Sequence, residues 1–139
     1  MKITIGSDHA GVEYKSKIIE FLNNEGHEVL DVGAFGQESV DYPDYAHLVA
    51  QEVSVGADYG VLVCGSGNGV SMAANKHKNI RAAVCWNKEI SILARQHNDA
   101  NIISLPARFV SLKKSIELIK AFLKEPFEGG RHLRRVEKI

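Results

Sequence analysis

Short apolar, β-branched runs bounded by turn residues recur along the chain at Lys2 to Gly6, His27 to Val32, Asp58 to Cys64, Ile80 to Cys85 and Asn101 to Leu105. Each has the length and residue types of a β-strand, so five strands are predicted. Between them the apolar period changes. Ala46, Val49, Ala50 and Val53 repeat at i, i+3, i+4 and i+7, as do Ile90, Leu93, Ala94 and His97, and Leu112, Ile116, Ile119 and Leu123 form a further stripe. These spacings place apolar side chains on one helix face. Pro43 sits where a first-turn proline belongs, Ser111 precedes its stripe as an N-cap, and Glu128-Gly129-Gly130 breaks the last long helix.

Strands alternating with helices of this length predict βαβ units with right-handed crossovers. The expected architecture is a Rossmann-like three-layer α/β/α sandwich around a five-stranded parallel sheet. Runs such as Val61-Leu62-Val63 suit strands covered on both faces, where polar alternation is lost. At 139 residues the chain reads as one domain, residues 1–139, closed by a basic tail over 129–139 with a helical spacing of arginines. In such a sheet the ligand lies beyond the carboxyl ends of the strands, which directs attention to the loops after Gly6, Cys64, Cys85 and Leu105.

Composition narrows the function classes. The chain is 45% apolar and 24% charged, ordinary values that exclude intrinsic disorder. Seventeen basic residues balance seventeen acidic ones, so a nucleic-acid partner is not expected, nor is a membrane partner, since no apolar stretch approaches spanning length. Ile3-Thr4-Ile5 is too short for the apolar centre of a signal peptide, and a cytoplasmic location is expected. The two cysteines, Cys64 and Cys85, have neither C-x-x-C nor zinc-finger spacing, so no disulfide framework or structural zinc site is suggested.

The segment Cys64-Gly65-Ser66-Gly67-Asn68-Gly69 closes one predicted strand and opens a helix through Met72-Ala73-Ala74. Three alternate glycines let backbone amides converge on an anion or a developing oxyanion; a glycine-rich turn without a ligand is the bland alternative. The spacing G-x-G-x-G differs from the dinucleotide fingerprint, no acid follows at the required distance, and no Gly-Lys-Ser/Thr is present, which disfavours nucleotide binding. Cys64 lies just before these amides, which are expected to lower its thiol toward neutrality and make it a base; as a buried small hydrophobe it would be inert. Cys85 has no catalytic-looking neighbours and fits the inert reading.

Ser7-Asp8-His9-Ala10-Gly11 follows the first strand, so Asp8 and His9 emerge at the same sheet edge as Cys64. Asp8 is equally suited to cap the next helix. His97 continues an apolar stripe, which favours a satisfied histidine near the core, yet it stands in the polar group Arg95 to Asp99 and titrates where proton transfer needs it. Arg131 and Arg135, four apart, suit a phosphate if the tail is helical and a solvated tail otherwise; Arg108 could add a third positive group.

Ser7-Asp8-His9-Ala10-Gly11, Asp41-Tyr42-Pro43, the Cys64 to Gly69 loop, Ala73-Ala74-Asn75-Lys76, Arg95-Gln96-His97-Asn98 and Glu128-Gly129-Gly130-Arg131-His132 occur in order. Together they closely resemble the ribose-5-phosphate isomerase B family, which also includes galactose-6-phosphate isomerase subunits and allose-6-phosphate isomerases. The resemblance runs nearly end to end. It implies an aldose-ketose isomerase working through a cis-enediolate with no metal and no cofactor. Cys64 would be the base between C1 and C2, amides of Gly65, Ser66, Gly67, Asn68 and Gly69 would hold the enediolate, and the Ser66 hydroxyl would help move protons between O1 and O2. His97, helped by Asp8, would open the furanose ring, Asn98 would hold substrate oxygens, and His9, Arg108, Arg131 and Arg135 would surround the phosphate. One branch of the family replaces the cysteine with a glutamate after the last loop glycine; Val70 stands there, which puts this chain in the cysteine branch. The resemblance also implies a homodimer, or a tetramer, with His97, Asn98 and Arg108 reaching the partner's Cys64 loop. Hexose 6-phosphates, allose or galactose 6-phosphate, remain alternative substrates, and a non-catalytic sugar-phosphate binding module remains the alternative function.

Overall fold

A computed structural model describes residues 1–139. Five strands, β1 (Lys2–Ser7), β2 (Glu28–Asp31), β3 (Tyr59–Cys64), β4 (Ala82–Val84) and β5 (Ile102–Pro106), pair in parallel in the order β2-β1-β3-β5-β4. Each lies within two residues of its predicted bounds. The helices are α1 (Val12–Asn24), α2 (Tyr42–Val55), α3 (Asn68–Ala74), α4 (Lys88–Asn98), α5 (Leu112–Lys124) and α6 (Arg131–Val136). No helix is long and apolar enough to cross a membrane.

The hand of the crossovers decides which face each helix covers. Connections that step toward β4 carry α2 and α3, whose Ala46, Val49, Ala50, Val70 and Ala74 pack with Leu62, Cys64 and Ile102 of the sheet. Connections that step back toward β2 carry α1 and α4, and these share with α5 the other layer, built on Ile3, Ile5, Val61, Val63, Ile103 and Leu105. Consecutive residues of Val61-Leu62-Val63 thus enter opposite cores, and all three are buried. Glycine sets how closely α2 approaches: a Cβ on Gly60 would come within 2.7 Å of the Val49 side chain, and one on Gly6 within 2.8 Å.

Helix ends follow local chemistry. Ser111 accepts from the Lys114 amide at 3.1 Å, as its cap position predicts. The last long helix ends at Lys124, before the predicted glycine break, because Glu125 precedes Pro126 and takes the extended conformation that a following proline imposes. The tail is helical as α6, which packs on α4.

Candidate active site

The loops after β1 and β5 lead to helices on one face of the sheet, and the loop after β3 leads to α3 on the other. Cys64 therefore closes a strand flanked on both sides by divergent loops, the position where open α/β sheets form a binding crevice. Gly11 brings the turn after β1 against β3: a Cβ there would lie 2.5 Å from the Val63 carbonyl oxygen. The Asp8 amide donates to that same carbonyl at 3.3 Å. Asp8 Oδ1 caps the turn, accepting from the Ala10 and Gly11 amides at 3.0 and 3.2 Å, and its Oδ2 accepts from Cys64 Sγ at 3.1 Å. Capping and a place beside the thiol are thus both realised, on separate oxygens.

Burial, the hydrogen bond to Asp8 and the Asp8 charge push the Cys64 thiol up from its ordinary range, while the Gly67 and Gly65 amides pull it down. The expected lowering toward neutrality is corrected in sign. The amides do act on the sulfur, but burial of the thiol, first, and the Asp8 carboxylate that keeps the proton on sulfur, second, outweigh them. Cys85 is fully buried and pushed up to about 11 by burial, the state of an inert thiol.

Beyond Cys64, Gly67 takes a left-handed φ of 75°, and Ser66 Oγ accepts from the Asn68 amide at 3.3 Å. Ser66 and Asn68 are exposed at the mouth. His9 is half-buried beside the same edge, its Nδ1 accepting from the Val40 amide at 3.4 Å. Arg108 also belongs here: its amide donates to the Gly65 carbonyl at 3.1 Å, and its guanidinium lies against Gly65, where a Cβ would come within 3.2 Å of Cζ. Within one chain, then, the turn after β5 already brings Arg108 onto its own Cys64 loop, where the expectation had it at a partner's. Nothing in the local sequence marks Tyr42 as a wall of this site. Its ring covers Gly69 so closely that a Cβ would sit 2.6 Å from it. The Asp41-Tyr42-Pro43 signal identified a helix start, and only the tertiary packing of α2 turns it into a wall.

His97, Asn98, Arg131 and Arg135 lie elsewhere. α4 runs back from the carboxyl edge to the amino edge, so its last turn precedes the start of β5 at Ile102. Cys64 is in register with Pro106, four residues along β5, or about 13 Å at ~3.3 Å per residue. The two groups therefore occupy opposite edges of the sheet. The end of α4 is firmly held: Asp99 takes a left-handed φ of 46°, and buried Arg95 bonds the Asp99 carboxylate at 2.9 Å, the Ala100 carbonyl at 2.7 Å and the Glu125 carbonyl at 3.3 Å. Gln96 bonds Glu125 and accepts from the Glu128 amide at 3.1 Å, which lays Glu128 beside His97. Asn98 is exposed, its carbonyl accepting from Arg81 Nε at 3.1 Å, and Arg131 and Arg135 project from α6 into solvent.

His97, Glu128 and His132 hold three potential metal donors within 4.8 Å of one another. The two imidazoles are stacked, 4.1 Å between centroids and 9° from parallel. In-plane lone pairs of parallel stacked rings do not converge on one point, so this donor set does not fit a metal ion without reorienting a ring.

A parallel sheet with an acid, a thiol and a glycine-amide loop converging at its switch point is the frame of an α/β enzyme for a small polar substrate. The sequence model of the family described as Ribose/Galactose Isomerase matches residues 3–139; the chain belongs to that family and is an isomerase. It is 45% identical to the Ribose-5-phosphate isomerase B of Escherichia coli K12, covering 99% of this chain and 93% of that one. The solved structure of the Clostridium thermocellum Ribose-5-Phosphate Isomerase B is 50% identical with a TM-score of 0.98, covering 99% and 94% of the two chains. That of the Mycoplasma genitalium Ribose-5-phosphate Isomerase B with bound ribulose-5-phosphate is 44% identical with a TM-score of 0.94, covering 99% and 92%.

Proposed function

We propose that residues 1–139 act as one isomerase domain interconverting ribose 5-phosphate and ribulose 5-phosphate through a cis-enediolate. The observation that carries this reading is the Cys64–Asp8 contact of 3.1 Å beside the Gly65 and Gly67 amides. A thiol with a carboxylate acceptor can pass its proton to Asp8 Oδ2 as substrate engages, leaving a thiolate to take the C2 proton of the open-chain aldose. The carbonyl oxygen O1 gains charge as the C1–C2 double bond forms, and fixed amides lower that barrier by about 3 kcal/mol per donor. Ser66 passes the O2 proton to O1, and Cys64 returns its proton to C1, completing ribulose 5-phosphate. The bound ribulose-5-phosphate of the Mycoplasma genitalium relative supports a pentose phosphate as substrate.

His97 opens the furanose ring, Asn98 holds substrate oxygens, and Arg131 and Arg135 with His9 and Arg108 bind the phosphate. Since His97 and Cys64 occupy opposite sheet edges of one chain, this chemistry requires a second copy. In a two-fold dimer the His97 edge of one protomer faces the Cys64 edge of its partner, and two equivalent sites result. Assaying the protein on ribose 5-phosphate, allose 6-phosphate and galactose 6-phosphate side by side tests the substrate. The expected outcome is a kcat/KM for ribose 5-phosphate at least tenfold above either hexose; a preference for a hexose overturns the pentose assignment, and activity on none of them supports the binding-module alternative.

A further inference from the structure

Two titratable groups at the His97 edge have no part in this scheme. His132 is buried, 7% exposed, while Arg131, Leu133, Arg134 and Arg135 around it on α6 face solvent. An imidazole turned inward from a short, solvated helix needs a partner, and it stacks directly on His97. The Nε2 atoms of both rings lie near one oxygen of Glu128, 3.6 Å away for His132 and 3.9 Å for His97, within ion-pair range and beyond hydrogen-bond distance. Glu128 is half-exposed and reaches this position because its backbone is bonded to Gln96.

One carboxylate balances one imidazolium. Two imidazolium rings 4.1 Å apart would repel face to face, and Arg131 and Arg135 add further positive charge. The charged and titratable groups acting on His132 are His97 from α4, Glu128 from the segment before α6, and Arg131 and Arg135 from α6 itself. Burial first, then His97 and Arg131, lower the His132 proton affinity; Glu128 opposes them and Arg135 adds a smaller push down. His97, at 36% side-chain exposure, is the ring open to solvent.

Building on the ring-opening role of His97, we propose that His132 and Glu128 are its positioning residues: His132 lies beneath it as a neutral ring that fixes its plane, and Glu128 balances the charge His97 gains in turnover. In ring opening His97 takes the O1 proton of the cyclic aldose. The C1–O4 bond breaks with its electron pair moving to O4, and His97 returns the proton to O4. The transient imidazolium is stabilised by Glu128, and the neutral His132 adds no repulsion.

The test is an NMR titration of the histidine rings in the assembled protein, paired with single-turnover kinetics from each sugar. His132 is expected to protonate below the ordinary histidine range, to move up in His97→Asn and to move further down in Glu128→Gln. Glu128→Gln is expected to slow turnover from ribose 5-phosphate about tenfold, within the range typical of residues that orient a reacting group, and to shift the acid limb of that rate to lower pH. The rate from open-chain ribulose 5-phosphate should be nearly unchanged. His132→Phe, which keeps a flat neutral ring, should retain most turnover, and His132→Ala should not. A His132 titration indifferent to both substitutions overturns the coupling. Equal slowing from both sugars in Glu128→Gln overturns the positioning role. Equal slowing from both in His97→Asn overturns the ring-opening assignment instead, leaving the titration result as it stands.

Discussion

Around Cys64 the groups available to a reacting sugar are mostly backbone amides, fixed by a left-handed glycine and walled by Tyr42 and Arg108. Around His97 they are side chains on a helix end and on a six-residue helix, open to solvent and tied back by Arg95 and Gln96. The first arrangement suits an oxyanion, whose stabilisation needs dipoles that do not reorganise. In the proposed reaction the second would serve proton transfer and phosphate capture, where side chains must follow a substrate between cyclic and open forms. The difference also predicts that the halves fail differently: the first through chemistry, the second through binding and ring opening.

The largest expected effect is on the first half. Cys64→Ala should lower isomerisation by about 10³-fold or more and abolish solvent-proton exchange at the carbon acid, with phosphate-dependent binding still measurable by calorimetry. Mixing it with His97→Asn after dissociation sharpens the contrast. Random reassociation makes half the dimers hybrids, each with one intact site, so about a quarter of wild-type activity should return. Hybrids seen by mass without that recovery would mean one chain supplies both halves. Next, His97→Asn should slow single turnover from ribose 5-phosphate about 10²-fold and from ribulose 5-phosphate much less. Arg131→Ala and Arg135→Ala should each raise KM for the phosphorylated sugar about tenfold, the worth of a charge-assisted hydrogen bond, and leave a phosphate-free analogue unaffected.

The smallest effect concerns the thiol. With its proton affinity raised by burial and Asp8, Cys64 should react with an alkylating reagent more slowly than a free thiol at neutral pH and accelerate as pH rises. Asp8→Asn should speed alkylation several-fold while lowering isomerase activity, separating reactivity from function. The sign for stability follows from the same shift. The folded protein favours the thiol form, so this contribution is complete below the ordinary thiol range and is lost as pH rises through the raised value. A denaturation series should show that alkaline loss in wild type and a smaller one in Cys64→Ala.

What the sequence disclosed and what it concealed divide along the same line as local and tertiary structure. The strands, the Ser111 cap, the Asp8 cap and the amide loop are encoded within a few consecutive residues and were legible as such. Tyr42 over Gly69 depends on α2 crossing to α3, and Arg108 against Gly65 depends on β5 lying beside β3. The direction of the Cys64 shift required knowing that the thiol is buried and that a carboxylate 56 residues away points at the sulfur. Glu128 and His132 were visible only as part of a motif, because their partner His97 belongs to a different helix.

The strand order carries a consequence for how the chain must be made. β4 pairs only with β5, and β5 alone joins it to β3. During synthesis β4 emerges with no strand to accept it and waits until residue 106 is available. A chain halted before then can pair β2, β1 and β3, yet its Cys64 loop lacks the turn that carries Arg108. Ribosome-bound fragments ending before Ile102 should therefore expose an unpaired segment to proteases and chaperones, and protection should appear abruptly once β5 clears the exit tunnel.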